Sequence, residues 1–207
     1  MMTATPAEGK TILSNCAMEP EIVALAEYLN SVGAKISGAG TPVITIEGVA
    51  KIGGGEFTTI ADRIEAGTFA IMAAATNSEL TISDCRPDHL ESLLAMFTKI
   101  GVPYTSTATT LTILKHGVLK ALDIKTHEYP GFPTDLQSPY TILMTQAEGM
   151  AIVHETIYDR RLLFTDMLTQ MGANIIMCDP HRVVISGPTK LHGHKLTSPD
   201  LRAGIAM

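Results

Sequence analysis

The chain of 207 residues contains three copies of one sequence pattern, spaced by about 70 residues. In each copy a short run rich in β-branched residues precedes an amphipathic segment that ends at a glycine, and a second glycine follows 15 or 16 residues later. The first glycines of the three copies are Gly33, Gly101 and Gly172, and the second ones are Gly48, Gly117 and Gly187. Self-similarity at a fixed period indicates a repeat architecture, so we expect one structural unit present three times.

Each unit is expected to contain a strand, a helix and a β-hairpin, in that order. Strand-like runs occupy residues 10–14, 80–83 and 150–154. The segments that follow carry apolar residues at helical spacing, which in the first copy are Ile22, Leu25, Ala26, Leu29 and Val32. Glycine readily takes the left-handed conformation just past a helix end, so each helix should stop at its first glycine. Alternating β-branched residues then predict hairpins over 34–48, 102–117 and 173–187.

A further helix is predicted to begin at an aspartate in each unit. The three aspartates are Asp62, Asp135 and Asp200. An aspartate at a helix start can accept hydrogen bonds from exposed backbone amides and lies at the positive end of the helix dipole. N-capping is therefore the simplest interpretation of all three residues.

The composition limits the function classes. With 45% hydrophobic and 17% charged residues, the chain can bury a sizeable core. Its net charge of −6, without a run of Lys or Arg, argues against nucleic acid as a partner. The longest apolar run, 66–75, is about half of the roughly 20 residues that span a membrane, and the N-terminus lacks a signal-peptide pattern. We therefore expect a cytoplasmic protein with no membrane partner.

Neither a metal site nor a cofactor site is predicted. The cysteines Cys16, Cys85 and Cys178 are odd in number and lack CxxC spacing, so each is expected to be an ordinary buried thiol. His192 and His194 have no third ligand nearby in the sequence. The glycines at 53–55 lack the context of a phosphate-binding loop and are better explained by a turn.

Alignment of the three copies places both ends of the chain inside a helix of the repeat. Residues 1–9 align with 72–79 and with 144–149, and residues from 200 onward match only the start of an aspartate-initiated helix. A terminal repeat normally carries an atypical, polar-faced cap. We therefore expect the chain to be a fragment of a longer protein.

Four segments carry a resemblance to a known family. They are 7–23, 62–69, 129–137 and 198–204, of which the third reads Tyr-Pro-Gly-Phe-Pro-Thr-Asp-Leu-Gln. In these segments the chain resembles the UDP-N-acetylglucosamine 1-carboxyvinyltransferases, enolpyruvyl transferases that begin bacterial peptidoglycan synthesis and so serve cell shape and division. The Pro-Thr-Asp-Leu-Gln motif favours this family over the related shikimate-pathway enolpyruvyl transferases.

The resemblance implies an α/β fold of the inside-out barrel type, in which sheets enclose helices. Members of the family fold six repeats of about 70 residues into two such domains, with the active site in the cleft between them. By this resemblance, 1–60 is the last repeat of one barrel domain. Residues 61–207 are two repeats and the start of a third of the other domain, with a hinge at 59–62.

The resemblance also implies an activity: transfer of the enolpyruvyl group from phosphoenolpyruvate to the 3-hydroxyl of UDP-N-acetylglucosamine, with release of phosphate. The hydroxyl must lose a proton and the vinyl carbon must gain one, so a base and an acid are needed. By resemblance Asp135 is the catalytic residue that faces the hydroxyl, and Ile157 contacts the nucleotide sugar through its backbone. Asp200 and Arg202 match a pair that lines the cleft near phosphoenolpyruvate in the family, and Arg161 and Arg63 are weaker candidates for substrate binding.

One departure from the family qualifies the activity. The family's catalytic loop, with its Cys or Asp proton donor, and a Lys-Asn pair that binds phosphoenolpyruvate match nothing in this sequence, and none of the three cysteines occupies the loop motif. The isolated chain is therefore expected to be inactive, and both substrates are expected to bind only the complete enzyme. Two alternatives stay open, a shikimate-pathway transferase and a non-catalytic repeat module, and the sequence leaves the oligomeric state open.

Overall fold

A computed structural model describes residues 1–197 and 201–206 of the chain. The chain divides into two compact units. The first comprises Met1–Ile60 with Glu128–Pro130, and the second comprises Ala61–His127 with the residues from Gly131 onward.

The first unit is a three-stranded antiparallel sheet covered by one helix. Its elements are β1 (Lys10–Ser14), α1 (Pro20–Ser31), β2 (Lys35–Ser37) and β3 (Val43–Glu47). The sheet has the order β1-β3-β2, with Thr45 of β3 opposite Ile12 and Ser37. Ile44 and Ile46 point to one face and form a buried cluster with Ala26 and Leu29 of the helix, which accounts for the alternation of β3 and the helical spacing of α1.

The second unit contains two sheets and five α-helices among its described residues. Its elements are α2 (Arg63–Ala75), β4 (Leu80–Ser83), α3 (Glu91–Ile100), β5 (Tyr104–Ser106), β6 (Thr110–Ile113), β7 (Ile124–Lys125), α4 (Gln137–Met144), β8 (Gly149–His154), α5 (Thr165–Gln170), β9 (Asn174–Asp179), β10 (Arg182–Gly187) and α6 (Leu201–Ala206). Single 3₁₀ turns precede α3 at Pro87–Leu90 and α4 at Thr134–Leu136.

The two sheets of the second unit each bury one face. The first has the order β4-β6-β5, and the second has the order β7-β8-β10-β9 with β7 parallel to β8. Leu111 and Ile113 of β6 are buried, as are Val183 and Ile185 of β10. By contrast, α2 and α4 bury residues around most of their circumference, which is the pattern of interior helices.

The main elements predicted from the sequence are present. Strands occur at 10–14, 80–83 and within 149–154, and each predicted hairpin is an antiparallel pair. Gly33, Gly101 and Gly172 have φ angles of 109°, 96° and 102°, which confirms their left-handed conformation after a helix.

Two expectations were wrong. The amphipathic segment of the third copy is helical only over Thr165–Gln170, because residues 157–164 form turns and Arg160 has a φ of 61°. Of the three cysteines expected to be buried, Cys85 is buried, Cys16 is partly buried and Cys178 is exposed. It lies on the edge strand β9, where a shift of register opposite Arg182 and Val183 interrupts the alternation of the strand.

None of the helices in the described part of the chain is long and apolar enough to cross a membrane. Among the same residues, no group of three or more His, Cys, Asp or Glu side chains could hold a metal ion.

Candidate functional site

Asp62 and Asp135, both predicted as helix caps, make different contacts. Asp62 caps α2, because its Oδ1 accepts hydrogen bonds from the backbone amides of Ile64 at 2.8 Å and Glu65 at 3.0 Å. Asp135 lies in the 3₁₀ turn before α4, and within the described residues neither that turn nor α4 has a side-chain cap. N-capping is therefore confirmed for Asp62 and wrong for Asp135, while Asp200 lies outside the described residues.

The carboxylate of Asp135 is instead shared by two arginines. Its Oδ1 lies 3.0 Å from Nη2 of Arg161, and its Oδ2 accepts a hydrogen bond of 2.7 Å from Nη2 of Arg202. The side chains are 29%, 12% and 28% exposed, respectively. The planar donor forks of guanidinium groups suit carboxylate and phosphate ligands. The site is therefore suited to an anionic ligand.

Arg161 is fixed by two further contacts besides Asp135. Its Nη1 donates a hydrogen bond of 2.7 Å to Oγ1 of Thr134, and its guanidinium carbon lies 4.8 Å from the centre of the Tyr158 ring. The second contact is within the range of a cation–π interaction. Three groups around the guanidinium define its position beside Asp135.

Glu155 lies behind this cluster and is fully buried. Its Oε1 accepts hydrogen bonds from the backbone amides of Ile157 at 2.8 Å and Tyr158 at 3.1 Å, and from the hydroxyl of Thr126 at 3.2 Å. Its Oε2 accepts one from the hydroxyl of Thr134 at 2.8 Å. A buried carboxylate is tolerated only when such donors replace water. Glu155 was not predicted as a site residue, although an acidic residue directly after an apolar strand was a signal for one.

Ile157 follows the end of β8 and is half-buried. Its backbone N–H already donates to Glu155. A ligand contact through the backbone of Ile157 would therefore have to use its carbonyl oxygen, which requires a donor group on the ligand.

The turn that carries Asp135 packs closely on α2. A Cβ atom on Gly67 would lie 2.7 Å from Cδ1 of Leu136, so the glycine permits this approach within a helix. In α4, which follows this turn, Tyr140 is buried and donates a hydrogen bond to the carbonyl oxygen of Leu122. Burial, and secondarily the charge of Asp123, raises the pKa of the Tyr140 phenol well above its ordinary value, so this donor stays protonated at neutral pH.

A cavity of about 580 Å³ opens beside the cluster. Its described lining consists of Asp135, Tyr158, Asp159, Arg160, Arg161, Leu163, Leu201 and Arg202. The structure thus brings together Asp135, Arg161 and Arg202 from three distant segments at one cavity. Within the described lining, neither Ile157 nor Arg63 takes part, and Arg63 is buried at the first residue of α2.

A second cavity of about 610 Å³ lies along α2, α4 and α6. Its lining is mainly apolar and includes Phe69 and Met72, which are about half exposed, together with Ile142 of α4. Arg202 lines both cavities, so it stands between the charged site and this apolar surface.

Comparisons with known proteins agree on one family. The family model described as EPSP synthase (3-phosphoshikimate 1-carboxyvinyltransferase) matches residues 1–207. UDP-N-acetylglucosamine 1-carboxyvinyltransferase 2 of Geobacillus kaustophilus is 46% identical over 207 residues, covering 100% of this chain and 48% of that protein. UDP-N-acetylglucosamine 1-carboxyvinyltransferase of Solibacter usitatus is 46% identical over 208 residues, covering 100% of this chain and 50% of that protein.

A solved structure extends the likeness to the fold. The enolpyruvyl transferase NikO from Streptomyces tendae matches with a TM-score of 0.88 at 22% identity, covering 99% of this chain and 49% of that one. The fold is therefore that of an enolpyruvyl transferase. The chain spans about half the length of the curated relatives it matches.

Proposed function

The chain belongs to the EPSP synthase family of enolpyruvyl transferases, and on that premise we propose that it forms part of an enzyme acting on UDP-N-acetylglucosamine. The enzyme transfers the enolpyruvyl group of phosphoenolpyruvate to the 3-hydroxyl of the nucleotide sugar and releases phosphate, a step of peptidoglycan synthesis. Relatives with this name are 44–46% identical over the whole chain, which favours this acceptor over shikimate 3-phosphate. The proposed site of action is the cytoplasm.

The proposed architecture is the inside-out α/β barrel, with 1–60 as the last repeat of one barrel domain and 61–207 as two repeats and the start of a third of the other. Support comes from α2 and α4, which are buried on most sides. Each sheet of the second unit also buries only one face. Interior helices with sheets around them are the arrangement that this architecture requires.

Asp135 is proposed as the residue that receives or orients the 3-hydroxyl. Each carboxylate oxygen is occupied by one arginine and can accept a further hydrogen bond. A substrate hydroxyl could therefore bind without displacing either ion pair. When the hydroxyl oxygen bonds to the vinyl group, its proton must pass to a neighbouring acceptor, and Asp135 lines the cavity where that acceptor is needed.

Arg161, Arg202 and Asp200 are proposed to line the part of the site that receives phosphoenolpyruvate. The support is the pair of guanidinium groups beside Asp135, whose planar donor forks suit the carboxylate and the phosphate of this substrate. Ile157 is proposed to accept a hydrogen bond from the nucleotide sugar through its carbonyl oxygen, since its N–H is engaged. The group that protonates the vinyl carbon is not assigned to this chain.

The observation that carries the proposal is the carboxylate of Asp135 held between two arginines at a cavity. The test is phosphate release from phosphoenolpyruvate by the product of the complete reading frame that contains this sequence. We expect release with UDP-N-acetylglucosamine and none with shikimate 3-phosphate. Release with shikimate 3-phosphate alone would reassign the acceptor, and release with neither would leave a non-catalytic repeat module.

A further inference from the structure

Glu155 connects the two segments that build the charged site. One is the turn that contains Thr134 and Asp135, and the other is the run from Ile157 to Arg161. Glu155 accepts a hydrogen bond from Thr134 in the first segment and from two backbone amides in the second. All of these contacts are made by one fully buried carboxylate. The relative position of the two segments therefore depends on this residue.

The two hydrogen bonds that link Arg161 to Glu155 through Thr134 can run in only one direction. A guanidinium has donors and no acceptor, so Oγ1 of Thr134 must accept the bond of 2.7 Å from Arg161. The single hydroxyl proton of Thr134 is then available to Glu155, whose Oε2 accepts it at 2.8 Å. The buried carboxylate thus fixes the threonine hydroxyl, and the hydroxyl in turn fixes the guanidinium.

Arg161 in turn contacts Oδ1 of Asp135. Among the described residues, loss of the Thr134 contact would leave the guanidinium held by Asp135 and the ring of Tyr158. A displacement of about 1 Å at a reacting group can lower a rate by roughly a hundredfold.

We propose that Glu155 is a positioning residue that holds Arg161 against Asp135 through the hydroxyl of Thr134. This inference rests on the proposed function, because it assigns Glu155 and Thr134 to the same site. Glu155 does not touch the substrate in this account. It acts through Thr134 and Arg161.

The chain offers a matched set of variants. Thr134→Val keeps the shape of the side chain and removes the hydroxyl, whereas Thr134→Ser keeps the hydroxyl. Glu155→Gln is isosteric but places an NH₂ donor on one of the positions that now accept hydrogen bonds. The control is Thr165→Val, which removes a buried hydroxyl that donates to the carbonyl oxygen of Leu162 and makes none of the hydrogen bonds that join Glu155, Thr134 and Arg161.

The rates are measured on the complete enzyme with phosphoenolpyruvate and UDP-N-acetylglucosamine, at temperatures where each variant is fully folded by circular dichroism. We expect Thr134→Val and Glu155→Gln to lower kcat by about 10- to 100-fold. Thr134→Ser should recover most of the rate that Thr134→Val loses, and Thr165→Val should stay within about threefold of the wild type. Equal losses in Thr134→Val and Thr165→Val, or no rescue by serine, would overturn the proposal.

A second readout is independent of activity. The guanidinium N–H signals of Arg161 in ¹H–¹⁵N spectra, assigned with Arg161→Lys, should exchange slowly with water in the wild type and in Thr134→Ser. They should exchange rapidly in Thr134→Val and Glu155→Gln. A wild-type enzyme that releases no phosphate contradicts the proposed function, whereas unchanged Arg161 signals in both variants contradict the anchoring role of Glu155.

Discussion

Asp135 and Arg202 lie 67 residues apart in the chain, yet Oδ2 of the aspartate and Nη2 of the arginine are 2.7 Å apart. The aspartate comes from the turn before α4, and the arginine is the second residue of α6. Because α6 packs on α4, this ion pair ties the start of one helix to the start of the other. It also holds one edge of the charged cavity.

Replacing Arg202 by Lys should impair substrate binding more than folding. Lysine keeps the charge but loses the planar fork that meets a carboxylate or phosphate. We expect the KM for phosphoenolpyruvate to rise by about tenfold in the complete enzyme. The control is Arg182→Lys, which alters an exposed pair with Asp179 and should leave KM unchanged. An unchanged KM in Arg202→Lys would argue against a role in binding phosphoenolpyruvate.

Replacing Asp62 by Ala should destabilise the protein by about 1 kcal/mol, because two amides of α2 lose their acceptor. Asp62→Asn keeps an oxygen that can cap the helix and should remain close to the wild type. Urea unfolding followed by circular dichroism measures both. Equal stability of the alanine and asparagine variants would mean that the cap contributes little.

Replacing Gly101 by Ala should cost about 1 kcal/mol through backbone strain alone. Its φ is 96°, and among the described residues an added Cβ would meet only the carbonyl oxygen of Val118, at 3.8 Å. Gly101→Asn should cost less, since asparagine tolerates the left-handed region better than alanine. Thermal unfolding of both variants tests the order. Equal losses would point to a cause other than backbone conformation.

Tyr140 should make the protein less stable in alkali. Its pKa is raised by burial, so the unfolded chain loses the phenolic proton near pH 10 while the folded chain keeps it. The stabilisation that this difference in pKa gives to the folded state is fully present below about pH 10 and is lost as the pH rises toward the folded pKa. The free energy of unfolding between pH 8 and 11 should therefore fall less steeply in Tyr140→Phe than in the wild type. Parallel curves would contradict this.

The secondary structure could largely be predicted from the sequence because its causes are local. Apolar spacing identified α1, alternation identified β10, and the glycine after α1 ends that helix for a conformational reason that the residue type itself carries. Asp62 could be predicted as a cap for the same reason, since the backbone amides that donate to its carboxylate lie within three residues.

The candidate site could be predicted less well from the sequence. Asp62 and Asp135 both precede a helix, and only the tertiary structure brings Arg161 and Arg202 to the second one. The resemblance pointed to these two arginines, but the spacing of residues in the sequence could not predict that both contact Asp135. The late start of α5 was missed for a related reason, because Glu155 binds the amides of Ile157 and Tyr158 in a turn where the spacing predicted a helix.

The most direct test of the central claim compares Asp135 with Asp62, two aspartates at equivalent places in the sequence pattern. Phosphate release from phosphoenolpyruvate and UDP-N-acetylglucosamine is measured for the complete wild-type enzyme, Asp135→Asn and Asp62→Ala, each at a temperature where it is folded. We predict that Asp135→Asn lowers kcat by at least about a hundredfold. Asp62→Ala should lose stability but keep its kcat within about threefold. A wild-type rate in Asp135→Asn, or an equal loss in both variants, would contradict the account.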